Sequence, residues 1–144
     1  MIKSYEQLKL SNQLCFPLYA AARKIVNLYT PYFRETGLTY TQYIVFMSLW
    51  EEDGQTVGTL CKKLFLDSGT LTPVLKKMES TGWVERKRSV HDERVVEIHL
   101  TEAGWAMRDQ LLTVPGHVGA CVKLEPDEAK TLYNLLYRVL EAES

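Results

Sequence analysis

The stretch Asp67-Ser68-Gly69-Thr70-Leu71-Thr72-Pro73-Val74-Leu75-Lys76-Lys77-Met78-Glu79 decides the fold. Leu71, Val74, Leu75 and Met78 stand at i, i+3, i+4 and i+7, which is one apolar face on a 3.6-residue period. Proline lacks the backbone donor and clashes with the preceding turn, so Pro73 fits this helix only in its first turn. That places the N-cap near Gly69 or Thr70, and Gly82 closes the helix. Small hydroxyls and a glycine at the helix start (Ser68, Gly69, Thr70 and Thr72) allow close approach, and the free amides there favour an anion. Lys76 and Lys77 follow further along.

Working upstream, Phe65-Leu66-Asp67-Ser68-Gly69-Thr70 is a turn rich in capping residues, preceded by a short helix from about Val57 to Leu64. Thr39-Tyr40-Thr41-Gln42 has the capping-box form and opens another helix through Ile44, Met47 and Trp50, ended by Gly54. Leu14, Leu18, Ala22, Ile25, Tyr29 and Tyr32 form a stripe that predicts a long helix from about Gln7 to Phe33. Pro17 must kink that helix or lie in its first turn.

Working downstream, the period switches to two. Val96, Ile98 and Leu100 alternate with Val95, Glu97 and His99, and the strand pairs with Trp83 to Arg88 around a polar tip, Ser89 to Glu93. Thr101-Glu102 caps a helix running toward Leu112, broken by Pro115 and Gly116. Pro126 opens the last helix, with Leu132, Leu135, Leu136, Val139 and Leu140 on one stripe. The chain is therefore expected to be mainly α with a small β-hairpin. A short helix, a turn, a capped helix and a two-stranded wing make a winged helix-turn-helix. The terminal helices carry more apolar surface than so small a domain can bury, which predicts a homodimer. Residues 1–144 form one domain, with 39–101 as the DNA-binding lobe and 5–36 and 102–144 as dimerisation helices.

Net charge is −1, yet eight bases and five acids lie between Lys62 and Arg94, a local net of +3 against −4 elsewhere. A local basic surface is what meets phosphates, although a solvated charged face fits the charge alone equally well. Double-stranded DNA is the expected partner, met by Ser68, Gly69, Thr70 and Thr72 at base edges. Lys76, Lys77, Arg86 and Arg88 would meet the backbone, and Arg94 a narrow minor groove with Asp92 holding its guanidinium. The competing reading of Asp92 and Arg94 is a plain hairpin-tip salt bridge, and Lys62 and Lys63 read as solvated.

Cys15, Cys61 and Cys121 are too few and too scattered for a disulfide scaffold. No CxxC or HxxxH spacing points to a metal, and no cofactor is expected. Neither a signal-peptide block nor an apolar run of membrane-spanning length is present, so the chain reads as cytosolic. Cys61 reads as a small buried hydrophobe.

The segment Asp67 to Glu79, with Asp92-Glu93-Arg94 and Leu100-Thr101-Glu102-Ala103-Gly104, resembles the MarR family of bacterial transcription regulators. Asn12-Gln13-Leu14-Cys15-Phe16-Pro17-Leu18-Tyr19-Ala20 resembles its organic hydroperoxide resistance branch. The resemblance implies a two-fold dimer on a pseudo-palindromic operator, repressing a detoxification gene until organic hydroperoxides or hypochlorite relieve it. It implies that Cys15 is the peroxide-sensing residue and that Tyr29 and Tyr40 of the partner subunit hydrogen-bond its sulfur. Donors aimed at a sulfur favour its nucleophilic thiolate, and Leu14, Phe16 and Tyr19 would favour lipid-like peroxides. Cys121 falls where some members carry a resolving thiol for an inter-subunit disulfide. Cysteine position alone gives no reactivity, so resolving thiol and bystander both stay open for Cys121. Two other functions compete: a MarR-type repressor released by a small aromatic acid, with Cys15 structural, and a thiol peroxidase using Cys15 and Cys121. No peroxidase motif surrounds either cysteine, and the chain is not expected to be an enzyme.

Overall fold

The computed structural model describes residues 3–143. Two short 3-10 turns, Glu6–Leu8 and Leu10–Asn12, lead into α1 (Cys15–Phe33), α2 (Tyr40–Glu51), β1 (Gln55–Thr56), α3 (Val57–Leu64) and α4 (Ser68–Thr81). The wing strands β2 (Val84–Arg88) and β3 (Val96–Leu100) follow, then α5 (Glu102–Leu111), α6 (Val114–Val122) and α7 (Pro126–Glu141). This is a winged helix-turn-helix, with α3 and α4 as the helix pair and β2–β3 as the wing.

Several boundaries follow from their caps. Thr39 Oγ1 accepts from Gln42 N while Gln42 Oε1 accepts from Thr39 N, the reciprocal pair expected for α2. Thr56 and Thr101 cap α3 and α5 in the same way, through Thr59 N and Gly104 N. Pro126 begins α7, where its missing donor is one of the helix's free ends anyway.

Four expectations need correction. α1 starts at Cys15, not near Gln7, so Pro17 lies in its first turn. Upstream, Asn12 Nδ2 donates to the Glu6 carbonyl at 2.8 Å and Gln13 Nε2 to the Lys9 carbonyl at 3.1 Å, which holds the chain in 3-10 turns instead. The cap of α4 is Asp67, not Gly69 or Thr70, because its carboxylate accepts from Thr70 N at 2.7 Å, and a charged acceptor outcompetes a hydroxyl. Pro73 therefore sits in the second turn, and the buried Leu71, Leu75 and Met78 offset the helical bond it removes. Pro115 does not end the helical region. It stands at the second position of α6, which buries Val114 and Val118. Finally, the hairpin gains a third strand, since Gln55 and Thr56 pair antiparallel with Ile98 and Glu97 to give the order β1-β3-β2.

The core lies in the lobe from α2 to α5. Val45, Phe46, Leu49, Leu60, Leu71, Met78 and Ile98 are fully buried there. By contrast α1 buries only Phe33, at its far end, and α7 buries no residue.

Candidate DNA interface and thiol site

α4 presents its N-terminus to solvent. Ser68, Gly69 and Thr70 are exposed and Thr72 is half-buried, as the apolar face turned toward α2 and α3 requires. Lys76 and Lys77 are exposed, and among the described residues neither enters an ion pair. Between α3, α4 and the wing runs a cleft of about 420 Å³ lined by Thr56, Gly58, Thr72, Arg86 and Arg94. At the wing tip the Asp92 carboxylate accepts from Arg94 three times: its backbone N at 3.0 Å, Nε at 3.2 Å and Nη2 at 3.3 Å. The Arg94 side chain, first through its guanidinium and then its backbone N–H, holds the Asp92 carboxyl below the usual carboxylate range. The clasp therefore forms at neutral pH and is lost only as pH falls through that lowered value.

The other wing bases are engaged differently. Arg86 is bound by Glu79 of α4, Lys87 pairs with Glu85 at 3.2 Å, and Arg88 Nη1 reaches the Glu93 carbonyl at 3.4 Å. Glu79 is the residue that sequence reasoning passed over. Its only signal is an acid at the end of α4, just across the Gly82 turn from a basic strand.

Cys15 is the first residue of α1 and is exposed beside exposed Leu14, Phe16 and Tyr19. Tyr29 and Tyr40 come together, with ring centroids 5.0 Å apart, and both pack on Tyr43. Burial raises the pKa of Tyr29 and Tyr40, with Tyr40 adding to the effect on Tyr29, and pushes Tyr43 up to about 12. Their hydroxyls thus stay protonated, as donors, through neutral pH. Cys15 and Tyr29 share one helix, on which fourteen residues of rise separate them by about 21 Å. The structure brings the two tyrosines together but does not bring them to the sulfur of their own chain.

Cys121 is exposed near the end of α6 and lines a hollow of about 320 Å³ with Ala21, Lys24, Ile25, Leu28 and Leu132. The α1 residues of that hollow centre on Lys24, about 14 Å along the helix from Cys15. Disulfide formation needs alpha carbons within about 7 Å. Beside it an open apolar groove of about 540 Å³ runs from Leu14 and Leu18 to Ile25, with Leu132 and Leu136 of α7 across from them. Cys61 is half-buried and packs against the core. Among the described residues no group of His, Cys, Asp and Glu could hold a metal ion, and no helix is long and apolar enough to cross a membrane.

The SarA/Rot transcriptional regulators match over residues 27–111. The chain is 42% identical to the organic hydroperoxide resistance transcriptional regulator of Bacillus subtilis, over 98% of this chain and 96% of that protein. Among solved structures it is similar to E. coli MarR C80S on operator DNA, at 31% identity and TM-score 0.80 over 88% of this chain and 93% of that one. It is also similar to AbfR of Staphylococcus epidermidis. Reduced AbfR bound to DNA gives TM-score 0.78 at 38% identity, covering 94% of this chain and 95% of that one. The overoxidised protein on DNA gives 0.75 at 39%, and the disulfide form 0.64 at 38%, each covering 94% of this chain and 96% of that one. The chain belongs to the MarR family, in its organic hydroperoxide resistance branch.

For a MarR-family regulator the architecture has a direct reading. The lobe that holds the core is the one that contains the winged helix-turn-helix. The helices with unburied apolar faces, α1 and α7, lie outside it and carry Cys15 and the wall of the Cys121 hollow. The relatives named are transcription regulators, not enzymes.

Proposed function

We propose that the chain is a homodimeric repressor that holds a pseudo-palindromic operator while Cys15 is reduced. An organic hydroperoxide oxidises that sulfur, and a disulfide to Cys121 of the partner subunit then releases the DNA. The observation that carries this reading is the separation along α1. Within one chain Cys15 stands about 21 Å along α1 from Tyr29 and about 14 Å along it from Lys24, in the middle of the α1 wall of the Cys121 hollow. In this reading donors for the sulfur and a thiol to resolve it come from a second copy. The apolar groove of exposed Leu14, Leu18 and Leu132 with half-buried Ile25 and Leu136, which starts beside Cys15 and adjoins the Cys121 hollow, offers that copy a surface.

The chemistry balances without a cofactor. The Cys15 thiolate attacks the distal peroxide oxygen, the O–O bond breaks, the alkoxide leaves and takes a proton from water to become the alcohol, and a sulfenic acid remains. The Cys121 thiol then attacks that sulfur, so the S–S bond forms, the S–O bond breaks and water leaves. Leu14, Phe16 and Tyr19 around the sulfur favour a hydroperoxide with an apolar tail over hydrogen peroxide. Bringing two alpha carbons within about 7 Å shifts the helices that carry them. Such a shift changes the spacing of the two α4 helices from the roughly 34 Å between successive turns of one DNA groove. The relative AbfR has been solved both in a disulfide form and, reduced, on DNA, which is the pair of states this reading requires.

Ser68, Gly69, Thr70 and Thr72 would meet base edges, Lys76, Lys77 and Arg88 phosphates, and Arg94, aimed by Asp92, the minor groove. Non-reducing electrophoresis after treatment with cumene hydroperoxide tests the thiol chemistry. A covalent dimer is expected in the wild type and in neither Cys15→Ser nor Cys121→Ser. A covalent dimer that persists without Cys121 defeats the disulfide step.

A further inference from the structure

We infer that Glu79 is a positioning residue for operator recognition: it locks the wing to the recognition helix through Arg86, and Arg86 is a strut instead of a phosphate contact. The inference rests on the DNA-binding reading above and assigns Arg86 a different part in it.

Three bonds make the lock. Glu79 Oε2 accepts from the Arg86 backbone N at 3.2 Å, and Oε1 accepts from Arg86 Nε at 3.1 Å and faces Nη2 at 3.1 Å. The first matters most for geometry. In the sheet order β1-β3-β2 the first wing strand, β2, is an edge, and its outward amides have no strand to pair with. The Glu79 carboxylate takes the place of that missing strand at Arg86, so α4 holds the backbone of the wing as well as a side chain. The guanidinium then grips the same carboxylate, which spends Nε and one terminal nitrogen of its donor fork and cancels its charge. A guanidinium used in this way is poorly placed to serve a phosphate. Lys76 and Lys77, a turn or less before Glu79 on α4, carry no such partner among the described residues.

The position of the lock gives it leverage. Arg86 pairs with Ile98, and Arg94 lies four residues beyond Ile98 toward the tip, past the start of β3 at Val96 and inside the turn closed by the Val95 N–H donating to the Asp92 carbonyl. A swing of the wing at Arg86 therefore carries the Arg94 guanidinium with it, and a displacement of about 1 Å is enough to take a hydrogen-bonding group out of contact. Asp92 aims Arg94 at the tip and Glu79 aims the whole wing at its root, so the minor-groove base inherits its place from two carboxylates in series.

The strut and contact readings give opposite signs for one substitution. The probe is a palindromic duplex enriched from a random pool by the full-length wild-type chain, with a scrambled duplex for non-specific binding. Under the strut reading Glu79→Gln and Arg86→Lys each lower affinity for the selected duplex roughly tenfold, the cost of one lost groove contact. The double substitution loses no more than either single one, and exchange of the charges (Glu79→Arg with Arg86→Glu) recovers part of the loss. Binding to the scrambled duplex and the dependence of affinity on salt stay as in wild type, because no phosphate contact has gone. The proposal is overturned if Glu79→Gln tightens or leaves unchanged the binding of the selected duplex while Arg86→Gln flattens the salt dependence, since Arg86 would then meet phosphate. It is equally overturned if the affinity loss tracks loss of folded protein at the assay temperature, which would make the pair a stability element only. Failure of the wild-type chain to enrich any duplex would instead count against the DNA-binding reading itself.

Discussion

Replacing Gly104 with alanine probes how tightly the root of the wing is built. A Cβ there would fall inside contact distance of the Trp83 carbonyl oxygen and 3.0 Å from Leu100 Cδ2. The Trp83 carbonyl already accepts from Thr101 N at 3.0 Å, and the Gly104 carbonyl accepts from Trp50 Nε1 at 3.1 Å. The obstacle is backbone, so no flexible side chain can absorb the methyl group, and the start of α5 must move away from the strand it abuts. Overpacking costs about 1–3 kcal/mol and each of the two stretched hydrogen bonds about 1 kcal/mol, while alanine's helix propensity returns about 1 kcal/mol. The net loss is about 2–4 kcal/mol, or about 6–12 °C in the thermal midpoint of a chain this size. Thermal unfolding followed by circular dichroism, at one protein concentration for both chains, measures it. A midpoint within a degree or two of wild type would refute the reasoning, because it would mean that α5 and the strand are free to separate.

Asp92→Ala frees the Arg94 guanidinium without touching the core, so operator affinity should fall by roughly fivefold while the thermal midpoint holds, the pair being exposed; a titration of each chain against operator DNA reads it. Asp67→Ala removes the cap of α4 and should cost about 1 kcal/mol of stability, visible as a midpoint lower by about 3 °C. Tyr43 has its pKa raised from 10.0 to about 12, so the native state keeps a proton that the unfolded chain gives up. Its contribution is intact below pH 10 and drains as pH rises toward 12, and urea unfolding of Tyr43→Phe across that window should show a shallower alkaline loss.

Local chemistry made much of this fold readable. Thr39 and Gln42 announce α2, Thr101 announces α5, and the alternation of Val96, Ile98 and Leu100 announces the central strand. Elsewhere two local signals competed or none existed. Asp67, Ser68 and Thr70 are all capping residues within one turn, and only the 2.7 Å bond to Thr70 N selects among them. Pro115 beside Gly116 suits a helix break and a helix start equally well. The two residues of β1 are too few to show a period, and Phe65 takes a left-handed conformation at the end of α3 where glycine is the usual choice. The candidate site divides along the same line. Asp92 and Arg94 are near in sequence and their clasp was foreseeable, whereas Glu79 reaches Arg86 across a turn, and charge alone does not say which acid holds which base. The tyrosine pair joins two helices, and its distance from Cys15 became visible only when both were placed on the same scaffold.

The most direct measurement is operator affinity before and after one equivalent of cumene hydroperoxide per subunit, on wild type and Cys15→Ser. The wild-type chain should weaken by roughly a hundredfold and recover with dithiothreitol, while Cys15→Ser keeps its grip throughout. If Cys15→Ser lets go of DNA as readily as wild type when peroxide is added, the sulfur at the head of α1 is not the switch.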